Sequence, residues 1–393
     1  GVRQHVVELD ELGFEVGYRD YRGTASVQSS LESYIEGDRY VPFDLSKGPL
    51  IRVCLLQVGD DDLVLYYNMH HIISDGWSMD ILSRDIMAYY NHYSEGGALG
   101  LPKLRIQYKD YAVWQQERLS SGHYDADISY WEGVFSGAIN RVTLPTHKLR
   151  PPVQTTEGRL LIGHIDQATT SDIRHYLEKR GGTLYMFLLS VLQVLLHRYT
   201  GQSDIIVGSP IAGRDHLDLE DQIGFYVNTL AFRANVIGNT TFREHYRATT
   251  ELVSKGYAHQ GYPFDSLVER LSLERDTSRS ALIDVMLVLQ NTGTRKQATA
   301  KEGDTDAIRD AGPVKSKFDV ELSFEEVGGL LRMSAIYNPD VYERDMVEAM
   351  MRHYRAMAAS VLEDDGVSVG SVAYLSQDER QQLVQGFNDT EAD

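Results

Sequence analysis

From Leu184 to Leu196 the chain reads LYMFLLSVLQVLL, a run that a small or solvent-washed scaffold cannot hold. It is too short to cross a bilayer and carries Ser190 and Gln193, so it is read as a helix buried on all sides. Such a helix calls for a large core. With 393 residues and 42% hydrophobic content, the chain has far more than one small core needs. Two lobes or two domains are therefore expected.

The surrounding sequence alternates strand and helix patterns. Leu50–Leu56 and Leu63–Met69 are rich in β-branched and aromatic residues, and the acidic turn GDDD lies between them, so they read as neighbouring strands. Ser78–Tyr90 sets Met79, Leu82, Ile86 and Tyr89–Tyr90 at helical spacing, with Ser78 as the expected N-cap. LPTHKLRPP (Leu144–Pro152) interrupts regular structure, because prolines lack a backbone donor and restrict their neighbours. It is taken as the lobe boundary. The expected organisation is an N-terminal lobe over 1–145, a C-terminal lobe over 146–375, and an exit helix with linker over 376–393. In the second lobe, Arg159–Ile165 alternates, Thr170–Lys179 reads as a helix and DIIVGSP as a strand. Gly293–Pro313 is polar and reads as a mobile loop. The fold class is α/β with mixed sheets.

A net charge of −19 works against non-specific binding to nucleic acid or anionic membranes. The single cysteine, Cys54, excludes an internal disulfide framework and suits a reducing cytosol, so a cytoplasmic module is expected. GVRQHVVELDE shows neither an initiator methionine nor a signal-peptide pattern, and the chain is read as part of a longer polypeptide.

The densest polar pattern is YYNMHHIISDGWSM (Tyr66–Met79). Two histidines, His70 and His71, end a strand, and Asp75-Gly76 follows just before the helix. An imidazole here can take a proton from an amine or hydroxyl, or position it. Asp75 can lock the turn or pair with a distant arginine, and Gly76 permits a backbone geometry other residues resist. Taken alone, the pattern reads first as a polar strand end with an Asp-Gly turn. A metal site is disfavoured, since adjacent strand histidines point to opposite faces. GVSVG around Ser368 has nucleophile-elbow spacing but follows the acidic turn EDDG rather than a strand, and Cys54 lies in an apolar strand as a core residue would. GSPIAGR (Gly208–Arg214) offers Arg214 as a partner for Asp75.

The order of several stretches changes that balance. NMHHIISDGWSM resembles the HHxxxDG motif of the condensation domains of nonribosomal peptide synthetases. YKDYAVWQ (Tyr108–Gln115), GSPIAGR with IGFYVNTL (Ile223–Leu230), HQGYPFDSLVERL (His259–Leu271) and RDTSRSALIDVMLVLQN (Arg275–Asn291) resemble the motifs that follow it in that family, in the family's order. The strand, helix and RHxxLRTxF-like motif that family members carry first do not occur here and are expected upstream of Gly1.

The resemblance implies two chloramphenicol acetyltransferase-like lobes in a V-shaped pseudo-dimer, and an amide-forming acyltransferase. A donor acyl or peptidyl thioester meets the amino group of an acceptor aminoacyl thioester. Both are delivered on 4'-phosphopantetheine arms by donor and acceptor peptidyl carrier domains, and an adenylation domain follows downstream. No cofactor of the domain's own is implied. His71 becomes the catalytic or amine-positioning residue and His70 its less direct neighbour. Asp75 becomes structural, salt-bridged to Arg214 from the other lobe, and Gly76 keeps the turn open. An epimerization domain, a CoA-dependent acyltransferase and a degenerate recruiting domain are the alternatives within the same superfamily.

Overall fold

In a computed structural model, residues 3–290 and 307–384 are described. The chain divides into two compact units. The first comprises Gly1–Gln116 and Arg214–Val227; the second comprises Glu117–Gly213 and Asn228–Asp393.

Among the described residues, the first unit holds a sheet of order β1-β2-β3. Strand β1 (Val16–Asp20) runs parallel to β2 (Ile51–Gln57), which pairs antiparallel with β3 (Leu63–Met69). The helix Val27–Arg39 crosses between β1 and β2, as a parallel pair requires, and Ser26 caps it by accepting from Ser29 N–H. Asp38 ties the helix end to the sheet. Its carboxylate accepts from Arg52 at 2.7 Å, Tyr66 at 2.9 Å and Asn68 at 3.0 Å. Burial pushes this carboxyl up, but those three donors outweigh it and hold it below the usual range. The core of this sheet is thin: Cys54 and Leu56 on β2 are buried, whereas β1 is exposed along its length.

The second unit is built on a mixed sheet of order β6-β5-β7-β9-β10-β4-β8. The strands are β4 (Glu157–Ile165), β5 (Asp204–Ile211), β6 (Asn228–Asn235), β7 (Val285–Gln290), β8 (Arg309–Lys315), β9 (Val320–Val327) and β10 (Leu330–Tyr337). β7 pairs parallel with β5 and β9, and the other pairings are antiparallel. The helix Leu184–Thr200 is buried from Tyr185 to Leu196, as the apolar run requires. Of the two polar residues in the run, Ser190 donates to the Met186 carbonyl, while Gln193 accepts from Thr249 through Oε1 and keeps a buried Nε2 without a partner among the described residues. The helices Gln167–Arg180, Phe242–Ala258 and Arg344–Glu363 flank it. The mixed α/β architecture with helix-flanked sheets is the class expected from the sequence.

Three expectations need correction. The units part at Gln116/Glu117, not at 145/146. Leu144 is 1% exposed within the second unit's core and Arg150 pairs with buried Asp319, so the prolines break an element without ending a unit. The expected loop over 293–313 becomes strand β8 from Arg309 onward, and 293–306 lie outside the described residues. The helix after Asp75 spans Gly76–Glu95 with Asp75, not Ser78, as its N-cap. The exit helix is Gln377–Val384, while 385–393 lie outside the described residues. No helix of the described residues is long and apolar enough to cross a membrane.

Candidate functional site

Strand β3 ends at Met69, where His70 N–H still donates to the Leu50 carbonyl across the sheet. The chain then tightens into a single 3-10 turn, His71–Ile73. His70 caps that turn: its Nδ1 accepts from Ile72 N–H at 3.0 Å, and its ring meets Phe43 edge-on. His71 does something different. Its Nδ1 lies 2.5 Å from the Ser74 carbonyl oxygen, which can only accept, so the proton sits on Nδ1. In the neutral ring this leaves Nε2 as the acceptor, and the residue is exposed.

The turn is anchored beneath by Asp75. As N-cap of Gly76–Glu95, its Oδ1 accepts from Ser78 N–H at 2.9 Å. Arg214 makes a two-pronged bond to the same carboxylate, Nη1 to Oδ2 at 2.8 Å and Nη2 to Oδ1 at 3.0 Å. Tyr226 N–H adds a further donor to Oδ2 at 3.0 Å, and Ser78 Oγ lies 2.7 Å from Oδ1. The side chains of Asp75 and Arg214 are 0% and 1% exposed. Burial alone would raise this carboxyl; Arg214, Ser78 and the Tyr226 amide overcome it and hold it below the usual range. The guanidinium also lies over the Tyr226 ring, 4.5 Å from its centroid, and near Trp77.

Arg214 belongs to the segment 214–227, which packs within the first unit rather than in a second lobe. Several bonds fasten that segment. Trp77 Nε1 donates to Glu220 O, Gln222 Nε2 to Ile106 O, and Tyr108 Oη to Phe225 O. Gly224 N–H donates to Ser78 Oγ at 3.1 Å. Gly224 is required here, since a Cβ would fall 2.4 Å from the Tyr108 ring.

Gly76 differs from expectation. It is the first helical residue with no positive φ, so no unusual backbone geometry demands glycine. A Cβ there would meet nothing within 4 Å, and what its absence preserves is open space beside the turn. Ser78, Phe225 and Tyr226 were not singled out from the sequence as site residues. The Asp-Gly-Trp-Ser spacing carries a signal for Ser78, because an N-cap carboxylate bonds the residue three positions on. Ser368 donates to Gly238 O before a 3-10 turn, not at a strand-to-helix elbow, and Cys54 is 3% exposed within β2. Among the described residues, no three His, Cys, Asp or Glu side chains gather as a metal ion requires.

The family model Condensation domain matches residues 1–384. The chain is 38% identical over 349 residues to Tyrocidine synthase 3 of Brevibacillus parabrevis, covering 89% of this chain and 5% of that protein. It is 36% identical over 368 residues to Bacitracin synthase 3 of Bacillus licheniformis, covering 94% of this chain and 6% of that protein. It thus spans a small part of the curated relatives it matches. Among solved structures, the X-domain from teicoplanin biosynthesis is similar in fold, with a TM-score of 0.79 at 23% identity over 92% of this chain and 81% of that one.

Proposed function

This chain belongs to the condensation-domain family of nonribosomal peptide synthetases, and from that premise we propose that it forms an amide between two carrier-bound substrates. A donor acyl or peptidyl thioester is the electrophile, and the free amino group of an acceptor aminoacyl thioester is the nucleophile. Both arrive on phosphopantetheine arms of carrier domains, with an adenylation domain loading the acceptor.

The observation that carries this reading is the contact of His71 Nδ1 with the Ser74 carbonyl. With Nδ1–H bonded to the Ser74 carbonyl, the neutral ring keeps its lone pair on Nε2, on an exposed residue. That lone pair can accept an N–H of the acceptor amine and turn the nitrogen's own pair toward the thioester carbon. As the C–N bond forms, the C–S bond breaks. One amine proton passes by way of Nε2 to the departing sulfur, leaving an amide and a free thiol arm. A thioester is already activated, so no covalent enzyme intermediate is needed. Alignment of two tethered reactants supplies much of the rate, on the order of 7–11 kcal/mol for well-oriented systems.

The supporting residues divide the remaining work. His70 holds the turn through Ile72 N–H. Asp75 and Arg214 fix its floor as a buried pair. Gly76 leaves room for the thioester, and its amide is one of the first-turn N–H groups with no intrahelical acceptor, suited to stabilising the developing oxyanion.

The test is single-turnover amide formation between two separately loaded carriers, with His71→Ala against the parent protein. The variant should keep its circular dichroism and lose roughly 10²–10⁴ in rate. Normal turnover by that variant removes His71 from the chemistry. Exchange of the donor's α-proton with solvent, without a new C–N bond, would instead make the domain an epimerase.

A further inference from the structure

We propose that Phe225 is a positioning residue for this reaction, its ring holding the His71 imidazole in the orientation that aims Nε2 at the acceptor amine. The inference rests on the amide-forming reading above.

The bond from Nδ1 to Ser74 O fixes one atom of the imidazole and leaves the ring free to tilt about it. The Phe225 ring blocks that tilt. The two rings meet edge-on, with centroids 5.2 Å apart and planes at 77°, a favoured aromatic geometry. Phe225 remains 38% exposed, so it is no part of the buried core. A large apolar ring standing beside an exposed histidine has its work at that histidine.

The backbone on which Phe225 stands is fixed as firmly as the turn carrying His71. Gly224 N–H donates to Ser78 Oγ at 3.1 Å, the Phe225 carbonyl accepts from Tyr108 Oη at 2.9 Å, and Tyr226 N–H donates to Asp75 Oδ2 at 3.0 Å. Asp75 and Ser78 are the same side chains that anchor the start of the helix following His71. One buried hub therefore sets the position of both rings, and their spacing is fixed from below. Loss of the ring leaves the hub intact and frees only the imidazole.

The experiment is a double-mutant cycle on amide formation with separately loaded carriers. Phe225→Ala should lower kcat about tenfold, with the acceptor-carrier KM unchanged, the pattern of a lost transition-state alignment. Phe225→Tyr, which keeps the ring, should retain near-parental kcat. In a His71→Ala background, Phe225→Ala should cost nothing further. ¹⁵N spectra of the histidines should show the His71 signal moving from a single Nδ1–H tautomer to a mixture in Phe225→Ala. If that variant does not fold, Phe225→Leu takes its place. Unchanged kcat in the variant without a ring, or an equal loss with and without His71, overturns the proposal while the function of His71 stands. Full turnover by His71→Ala sinks the reading of the site itself.

Discussion

Replacing Arg214 by methionine asks whether the Asp75–Arg214 pair holds the His71 turn through stability alone. Methionine keeps much of the volume and removes the charge, leaving Asp75 buried with only Ser78 and the Tyr226 amide as donors. Both side chains are essentially inaccessible in the parent, so water cannot compensate. Breaking a pair this deeply buried costs about 3–5 kcal/mol, a large share of ordinary domain stability. The melting temperature of the first unit should fall by about 10 °C. The sign of the pH dependence is a second handle. In the parent, burial pushes the Asp75 carboxyl up but Arg214 and the other donors bring it below its usual range, so its contribution is present at neutral pH and fades only in strong acid. Without Arg214, burial prevails and the carboxyl rises. The variant's penalty is then largest near neutrality and shrinks on acidification, as the buried carboxylate takes up a proton. Thermal unfolding followed by near-ultraviolet circular dichroism at about pH 7.5 and about pH 5.5 reads both effects. A variant that melts like the parent yet forms no amide would assign the pair to the chemistry. A penalty that grows in acid would refute the electrostatic account.

Two further substitutions test the packing. Gly224→Ala puts a Cβ 2.4 Å from Tyr108 Cδ2 and 2.8 Å from Tyr226 Cε2, and should cost about 1–3 kcal/mol in urea unfolding. An unchanged midpoint would mean the Tyr108 ring yields. In the second unit, burial pushes the His245 imidazole down to about 4, with His197 adding to the shift. The unfolded chain takes up that proton at its ordinary, higher pKa, so stability is full above that value and lost as pH falls toward about 4. His245→Gln should flatten this slope, worth up to about 3 kcal/mol across the window. An identical slope in the variant would place the titration elsewhere.

The legible parts of this molecule are those in which side-chain type carries the signal. The apolar run at Leu184–Leu196 has no soluble alternative to burial, and β-branched residues on either side of GDDD mark β2 and β3. Arg214 stood out as a cation at the end of a glycine-punctuated turn. What escaped is carried by backbone or by distance. Tyr226 bonds Asp75 through its amide, which every residue but proline possesses, so no sequence pattern announces it. Phe225 looks like any aromatic beside a strand until the fold sets it against His71. Strand β8 contains Gly312 and Pro313 and lies at the sheet edge, where proline is tolerated and alternation is weak. The unit boundary was misplaced because chain breakers mark the ends of elements, whereas a unit is held together by packing between segments far apart in the chain.

The return of residues 214–227 to the first unit has a bearing on how the molecule comes into being. Synthesis proceeds from the N-terminus, so Asp75 emerges long before the guanidinium that neutralises it. Until Arg214 and Tyr226 follow, the carboxylate has only its own helix for company and must remain hydrated. The first unit therefore lacks part of the packing around the His71 turn until Glu117–Gly213 of the other unit have been made. For the same reason a fragment ending at Gln116 would carry both histidines and the aspartate but not the means to bury the aspartate. Residues 214–227 are the last piece of the first unit to be delivered.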